Sequence, residues 1–582
     1  MTLLVAFIYG SHHIFVPYFL EEGPASPGQG GFREYYPVTH SSNGDEAVFY
    51  GPRANTVFNG AWLAGDVVLR EHEGGPSFLP ILNPIVMGLL GKLTGSIHRA
   101  FILSDFIFPP LIFILLYLLA LEIFNRRFFS LLFATLFIFS PKIFLLNPRE
   151  VISGAIPFFG KYELLYFERF EYPKITFLFF VLAFYFALRA LKRGGKLNTI
   201  LSGVSFGLLF YTYFHDWAYF VVSLFLAFLI FLVEKEYAKA KTVIFIGFTG
   251  LAVSSFYWLN FWNLTSLPQY KDILSRIGVE VGNQIRLATV WKSYARNLVF
   301  ILLLFFAIGR KERALFAYLA SWLLGYFIVV NAQIITGFNP HPDHWYRIHF
   351  LPTALSVFVL ALWVYEKHSQ QIPKKYFLAA GYVFISLFLI TQLYGQYVFS
   401  KTNAQNFTLP RDIRESYEWL KQNTPQGSVV GSISSETNTE IPLYTNNKIF
   451  VPSGGNTLAS NDEIWDRFMF MARVFKFSSD EFRQLAIQYD SYLFQEYHRD
   501  HYFDSDFLGK AKQNIPEHII AEKILKYSAY PKSILQNNTY KLDYIFVGPS
   551  EKAIIGAHSK DLPSSLKRLY NNGQVDIYEA PL

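Results

Sequence analysis

Residues 79–95 read LPILNPIVMGLLGKLTG, and the topology of the chain turns on whether they cross a membrane. The stretch is shorter than the ~20 apolar residues a span requires, and Pro80 and Pro84 interrupt it. Basic residues further on decide the matter. They fall in short clusters: Arg126-Arg127; Lys192-Arg193 with Lys196; Lys235, Lys239 and Lys241; Arg310-Lys311 with Arg313; Lys367 with Lys374-Lys375. These clusters occupy alternate loops without exception, the pattern of loops retained in the cytoplasm. Counted as a span behind a cytoplasmic N-terminus, 79–95 would put Arg126-Arg127 outside. The stretch is therefore expected to be a helix lying in or against the outer interface, within a long first outer loop of residues 21–99.

Spans are then predicted at roughly 1–20, 100–124, 128–146, 173–191, 197–214, 217–233, 242–262, 293–309, 314–335, 348–366 and 376–397. The expected protein is a multi-pass protein of the plasma membrane, with its N-terminus cytoplasmic. The first span is unusual, because Ser11, His12 and His13 interrupt it. The outer side receives loops 21–99, 147–172, 263–292 and 336–347, and everything after residue 398. That last segment is rich in Asn, Ser, Asp, Glu and Lys. RDIRESYEWLKQNTP (411–425) reads as a helix closed by Thr424-Pro425. SVVGSIS (428–434), KIFVPSG (448–454), DYIFVGP (543–549) and VDIYEA (575–580) read as short strands, with helical stretches at 462–476 and 479–495 between them. The expected fold class is a polytopic α-helical membrane protein of about 11 transmembrane helices (1–397, including loop 21–99). A C-terminal soluble α/β extracytoplasmic domain (398–582) follows.

Composition agrees. Of 582 residues, 52% are hydrophobic, 19% aromatic and 16% charged, against ~25% charged in soluble domains. With no cysteine, disulfides, thiolate metal sites and cysteine nucleophiles are excluded. The net charge of +7 sits mainly in the clusters between apolar runs. It therefore records orientation rather than a nucleic-acid patch. No Gly-rich phosphate loop, serine elbow or zinc-protease helix motif appears, which argues against an ATP-driven pump.

Polar residues kept beside the membrane are the candidates for chemistry. Asp45-Glu46 lie early in the first outer loop. They read either as acids at a helix N-terminus or as a general base or metal ligand. Arg53 and Asp66 follow, as surface charges or as cavity residues. In FNPHPDHWYRIHFLP (338–352), Arg347 is either an interfacial arginine reaching for headgroups or a phosphate ligand. His341 and His344, with Asp343, have metal-ligand spacing, although Pro340 and Pro342 disfavour a regular helix there. His215-Asp216 form an outer turn between two spans, as a plain hairpin or as part of a cavity wall. Loop 147–172 with its flank carries Arg149, Lys161, Arg169 and Lys174. It is either a solvated loop or, through Arg169 and Lys174, a contact for an anionic headgroup.

The N-terminal third resembles the GT-C superfamily of polytopic glycosyltransferases. The resemblance is carried by DEAVFYGPRANTVFNGAWLAGD (45–66), by PILNPIVMGLLGKLTG (80–95), and by a span ending in arginines, LLYLLALEIFNRRFF (115–129). HWYRIHFLP (344–352) is similar to the late-loop arginine–aromatic–proline element of those enzymes, and the C-terminal segment to outer domains of bacterial or archaeal members. The resemblance implies an inverting transferase that moves a sugar from a polyprenyl-phosphate-linked donor to an acceptor hydroxyl. Asp45 would be the base and Glu46 its neighbour. Arg347, with Arg169 and Lys174, would meet the donor phosphate. His215, Asp216, His341, Asp343, His344 and Arg53 would line the cavity. The partners implied are the lipid-linked sugar, membrane lipids and a glycan, lipid or protein acceptor. There is room for a divalent metal ion, without a fixed ligand set. Two other classes stand beside this one: a lipid or sugar transporter or flippase, which calls for broken spans or inverted repeats, and a non-catalytic membrane scaffold.

Overall fold

The computed structural model describes residues 1–22, 33–42, 46–63, 65–145, 151–152, 164–169, 172–276, 279–281, 291–309, 311–340, 344–368, 373–493, 517–530, 539–556 and 566–580. The chain divides into two compact units. One comprises Met1–Phe19, Phe101–Leu259 and Val281–Asn403. The other comprises Leu20–Ala100, Asn260–Glu280 and Ala404–Leu582.

Every stretch expected to span contains helix in the structure. Among the described residues eight helices are long and apolar enough to cross a membrane, and the expected span 242–262 is a bent pair. Arg127–Phe139 and Lys196–Leu209 are shorter. Aromatic packing holds the first unit together. Trp322 is fully buried against Phe180, Phe184, Tyr219 and Phe220, with ring centroids 4.8–5.5 Å away. Between apolar helices in lipid, close packing of this kind replaces the hydrophobic drive. Small residues serve the same end. Gly203 and Gly207 let Lys196–Leu209 lie directly on Tyr237–Val253, where added Cβ atoms would come within 2.4–2.5 Å of Thr249 and Val253.

The bend between Tyr237–Val253 and Ser255–Thr265 is 58°, where the sequence suggests one straight span. Its cause is an inserted side chain. The Tyr211 hydroxyl donates to the Val253 carbonyl at 2.8 Å and accepts from the Tyr257 amide at 3.3 Å. It thus takes the place of the helical bond between those two groups. Ion pairs gather the basic clusters at one end of the unit: Arg193 with Glu122 at 2.7 Å, Lys192 with Glu312 at 3.5 Å, and Arg126 with Glu366 at 3.2 Å.

In the second unit, residues 79–95 form the helix Leu82–Thr94, closed by Gly95 at φ 74°, the left-handed end that suits glycine. At 1.5 Å per residue the helix is ~20 Å long, short of the ~30 Å of a bilayer core. It packs on Gly51–Phe58, where Gly88 leaves no room for a Cβ against Val57. The C-terminal segment holds a five-stranded sheet in the order Lys448–Ile449, Val429–Gly431, Tyr544–Val547, Asp576–Glu579, Lys567–Asn571. The first three strands are parallel and the last two are added antiparallel. Lys567–Asn571 is a strand the sequence pattern does not announce.

The composition shift at 397/398 leaves loop 21–99 with the spans, whereas the compact unit built on the C-terminal segment takes in residues 20–100 and 260–280. The reason is hydrogen bonding. Arg33–Tyr35 pairs antiparallel with Thr408–Pro410, and the Val68 carbonyl accepts from the Ile449 amide at 3.0 Å. Asp66, which the sequence left as a surface charge or cavity residue, is fully buried. Its carboxylate accepts from the amides of Val68, Leu69 and Leu458 and from the Thr457 hydroxyl, at 2.6–2.9 Å.

Asp66→Ala should destabilise the protein by about 3 kcal/mol, because it strands buried donors; thermal unfolding in detergent measures this. A second prediction concerns Glu440, whose Oε2 accepts from the Tyr417 hydroxyl at 2.9 Å. Burial, with the charge of Glu436 adding to it, pushes its carboxyl up to about 8 from an ordinary 4.5. Between those values the unfolded chain releases a proton that the folded one keeps. The Glu440 contribution to stability therefore falls as pH rises through that window and is flat above it. Glu440→Gln should remove this slope, so the gap in melting temperature between variant and wild type should widen from pH 4.5 to pH 8.

Candidate functional site

Three helices of the first unit, Lys174–Arg193, Phe214–Val233 and Trp345–His368, have their starts joined by aromatic rings. Tyr172 stacks on Tyr213 with centroids 4.1 Å apart, and the Tyr213 hydroxyl hydrogen-bonds Nδ1 of His344. His215 packs on Trp345 at 4.5 Å, and its Nε2–H donates to the Pro340 carbonyl at 2.7 Å. Trp345 donates to Oδ1 of Asn339 at 2.9 Å. These contacts fix the entry of the chain into each helix.

Arg347 lies over the ring of Tyr172 at 5.5 Å and that of Tyr346 at 5.9 Å. Both contacts are cation–π in kind. Among the described residues no carboxylate pairs with it. Burial pushes the Tyr166 hydroxyl above its ordinary range, while the charges of Arg347 and Arg169 act in the opposite direction. Both guanidiniums are thus within electrostatic reach of one ring. Asp216 sits in the first turn of its helix, where acids are favoured. It is buried, and its Oδ2 has no hydrogen-bond partner among the described residues. A guanidinium on aromatic rings can hold a phosphate, and the two histidines and the Asp216 carboxylate beside it can order hydroxyl groups.

The structure therefore brings together Arg347, His215, Asp216 and His344, with Arg169 near them. Lys174, expected at a lipid phosphate, has its charge already matched. Its Nζ is 2.5 Å from Oδ1 of Asp105 and 2.9 Å from the Ser104 hydroxyl, and the side chain is 1% exposed. Glu46 and Arg53 belong to the second unit. Glu46 is buried at the start of a π-helical turn, Glu46–Tyr50. Arg53 is buried and donates to the carbonyls of Leu79 and Pro80 at 3.0 and 3.3 Å, where it anchors the approach to Leu82–Thr94. Asp45, His341 and Asp343 lie outside the described residues.

Asp105 and Glu168 are the residues that sequence reasoning passed over. Burial, reinforced by the charge of Asp105, pushes the Glu168 carboxyl well above the usual range. The signal for Asp105 was present in the sequence: it is an acid inside an apolar run, FILSDFIF (101–108), where ionisable residues are costly.

No protein-family model matches the chain, and no curated protein matches it in sequence. In structure it is similar to ArnT from Cupriavidus metallidurans bound to undecaprenyl phosphate, with a TM-score of 0.50 and 10% identity, covering 99% of this chain and 98% of that one. It is also similar to the oligosaccharyltransferase of Archaeoglobus fulgidus in the apo form, with a TM-score of 0.41 and 11% identity, covering 93% and 70%. The end-to-end likeness to ArnT shows that this chain shares the fold of that protein. The protein is a multi-pass membrane protein.

Lys174→Met would remove the ammonium that offsets the buried Asp105 carboxylate. It should cost about 3–5 kcal/mol, read as a fall in melting temperature. Adding Asp105→Asn should restore most of the loss.

Proposed function

We propose that the protein is an inverting glycosyltransferase of the plasma membrane, oriented with the N-terminus in the cytoplasm and the C-terminal domain outside. It moves a sugar from a polyprenyl-phosphate-linked donor to an acceptor hydroxyl on the outer face. The observation that carries this reading is Arg347, a cation set on aromatic rings with no carboxylate partner among the described residues. Placing an unmatched charge there is expensive, and an anionic ligand offsets the cost. The fold it shares with ArnT, a protein seen with undecaprenyl phosphate, supports a lipid-linked phosphate as that anion.

The acceptor oxygen attacks the anomeric carbon from the face opposite the phosphate and inverts it. Asp45 takes the hydroxyl proton. The bond from the anomeric carbon to the phosphate oxygen breaks, and the electron pair leaves with the lipid phosphate. Arg347 stabilises that developing charge, which is where a preorganised cation acts best, and Arg169 adds to the field. His215, Asp216 and His344 orient donor hydroxyls. Glu46 supports Asp45, and His341 and Asp343, close to His344 in the sequence, would line the same cavity. Arg53 acts at a distance, by holding the backbone at 79–80. A divalent ion beside the acids would polarise the acceptor or the phosphate.

Purified protein should bind undecaprenyl phosphate, and Arg347→Ala should weaken that binding by at least ~10-fold, the loss of a charge-assisted contact. Asp45→Asn should lower sugar transfer by ~100-fold or more with lipid binding intact. Unchanged binding by Arg347→Ala removes its phosphate role. Full transfer by Asp45→Asn removes the base. Lipid translocation by wild type without sugar transfer would favour a flippase instead.

A further inference from the structure

The first helix of the chain breaks at Ser11, between Thr2–Gly10 and His12–Glu22. On a regular helix, neighbouring side chains face different ways. Here the imidazole rings of His12 and His13 lie with centroids 3.7 Å apart, tilted by 41°. Facing them, from the helix Ile97–Phe124, is Asp105. Nε2 of His13 is 2.9 Å from Oδ2 of Asp105. One ligand atom from each of His12, His13 and Asp105 falls within 4.8 Å of the others. The three side chains are only 4–5% exposed.

The atoms behind this trio are also held. Lys174 occupies the other oxygen of Asp105, at 2.5 Å. Nδ1 of His12 faces the Tyr9 carbonyl at 3.3 Å and Oε1 of Glu168 at 3.7 Å. The second oxygen of Glu168 accepts from the Leu165 amide at 2.7 Å. Metal-binding imidazoles ordinarily have their remaining nitrogen fixed by a carbonyl or carboxylate, and metal-binding carboxylates are themselves hydrogen-bonded. Asp105 thus keeps one oxygen toward Lys174 and turns the other to the imidazole side. His12, His13 and Asp105 are not among the residues given a part in the transfer chemistry above.

We propose that His12, His13 and Asp105 bind one divalent transition-metal ion of the zinc class, with Glu168 as the carboxylate behind His12. Two imidazoles and one carboxylate suit zinc-class ions, whereas magnesium and calcium take oxygen ligands. Three protein ligands leave a fourth position for water, and their burial keeps the ion away from bulk solvent. The site pins the break in the first helix to Ile97–Phe124 and, through Glu168, to the 164–169 segment.

The test uses tag-free, full-length protein in detergent, stripped with a chelator and reloaded. Wild type should take up one equivalent of Zn²⁺, and its melting temperature should rise with Zn²⁺ but not with equimolar Mg²⁺. The Co²⁺-loaded protein should show visible absorption, and X-ray absorption should show nitrogen ligands. His13→Gln and His12→Gln should lose stoichiometric uptake while keeping the helical circular dichroism of wild type. Failure of stripped wild type to bind Zn²⁺ stoichiometrically would overturn the proposal. So would uptake unchanged in both variants, or a Co²⁺ site with oxygen ligands alone. Should the variants not fold, the wild-type uptake and Co²⁺ spectrum decide the matter by themselves.

Discussion

A charge among apolar helices has no water to solvate it, and the effective cost is several kcal/mol per ion. That constraint orders the first unit. Its basic clusters sit at helix ends, where Glu122, Glu312 and Glu366 meet them. Inside the unit, Lys174 and Asp105 are 1% and 5% exposed and hold each other at 2.5 Å. The starts of Lys174–Arg193, Phe214–Val233 and Trp345–His368 are then locked by aromatic stacking. The site thus stands on three helices rather than on a free loop. Sites supported in this way keep their geometry better.

The long apolar helices were legible because twenty-residue apolar runs are local signals. The helix at Leu82–Thr94 and its exclusion from the spans followed from the same signals. Four of the five strands of the C-terminal sheet were legible too, since β-branched and aromatic runs mark them. Lys567–Asn571, as KRLYN, has a charged and polar majority and reads as loop. The bend at Ser254 was not legible, because its agent, Tyr211, lies in the turn after Lys196–Leu209, more than forty positions away. Nor was the joining of the first loop to the C-terminal segment. Asp66 finds Thr457 across 391 positions, and nothing near Asp66 in the sequence announces that partner.

The site shows the same division. Arg347, His215 and His344 stood out as polar residues at the ends of apolar runs, and the structure brings them together. Lys174 had the same local appearance, yet its charge is matched by Asp105. Local sequence shows that a cation is present near the membrane. It does not show whether a carboxylate from another helix has claimed it.

That difference separates the roles of the two cations. An ammonium bound to a buried carboxylate gains little from a passing phosphate, since it would have to abandon a partner that then stands unsolvated. A guanidinium resting on Tyr172 and Tyr346 gives up far less, because the ring faces continue to attract it while its N–H groups turn to a new acceptor. The permanent charge and planar fork of arginine then meet phosphate oxygens in pairs. The two cations are therefore placed unlike each other: Lys174 is held by Asp105 in the interior, whereas Arg347 rests on aromatic rings with no carboxylate partner among the described residues, the setting on which its proposed phosphate role rests.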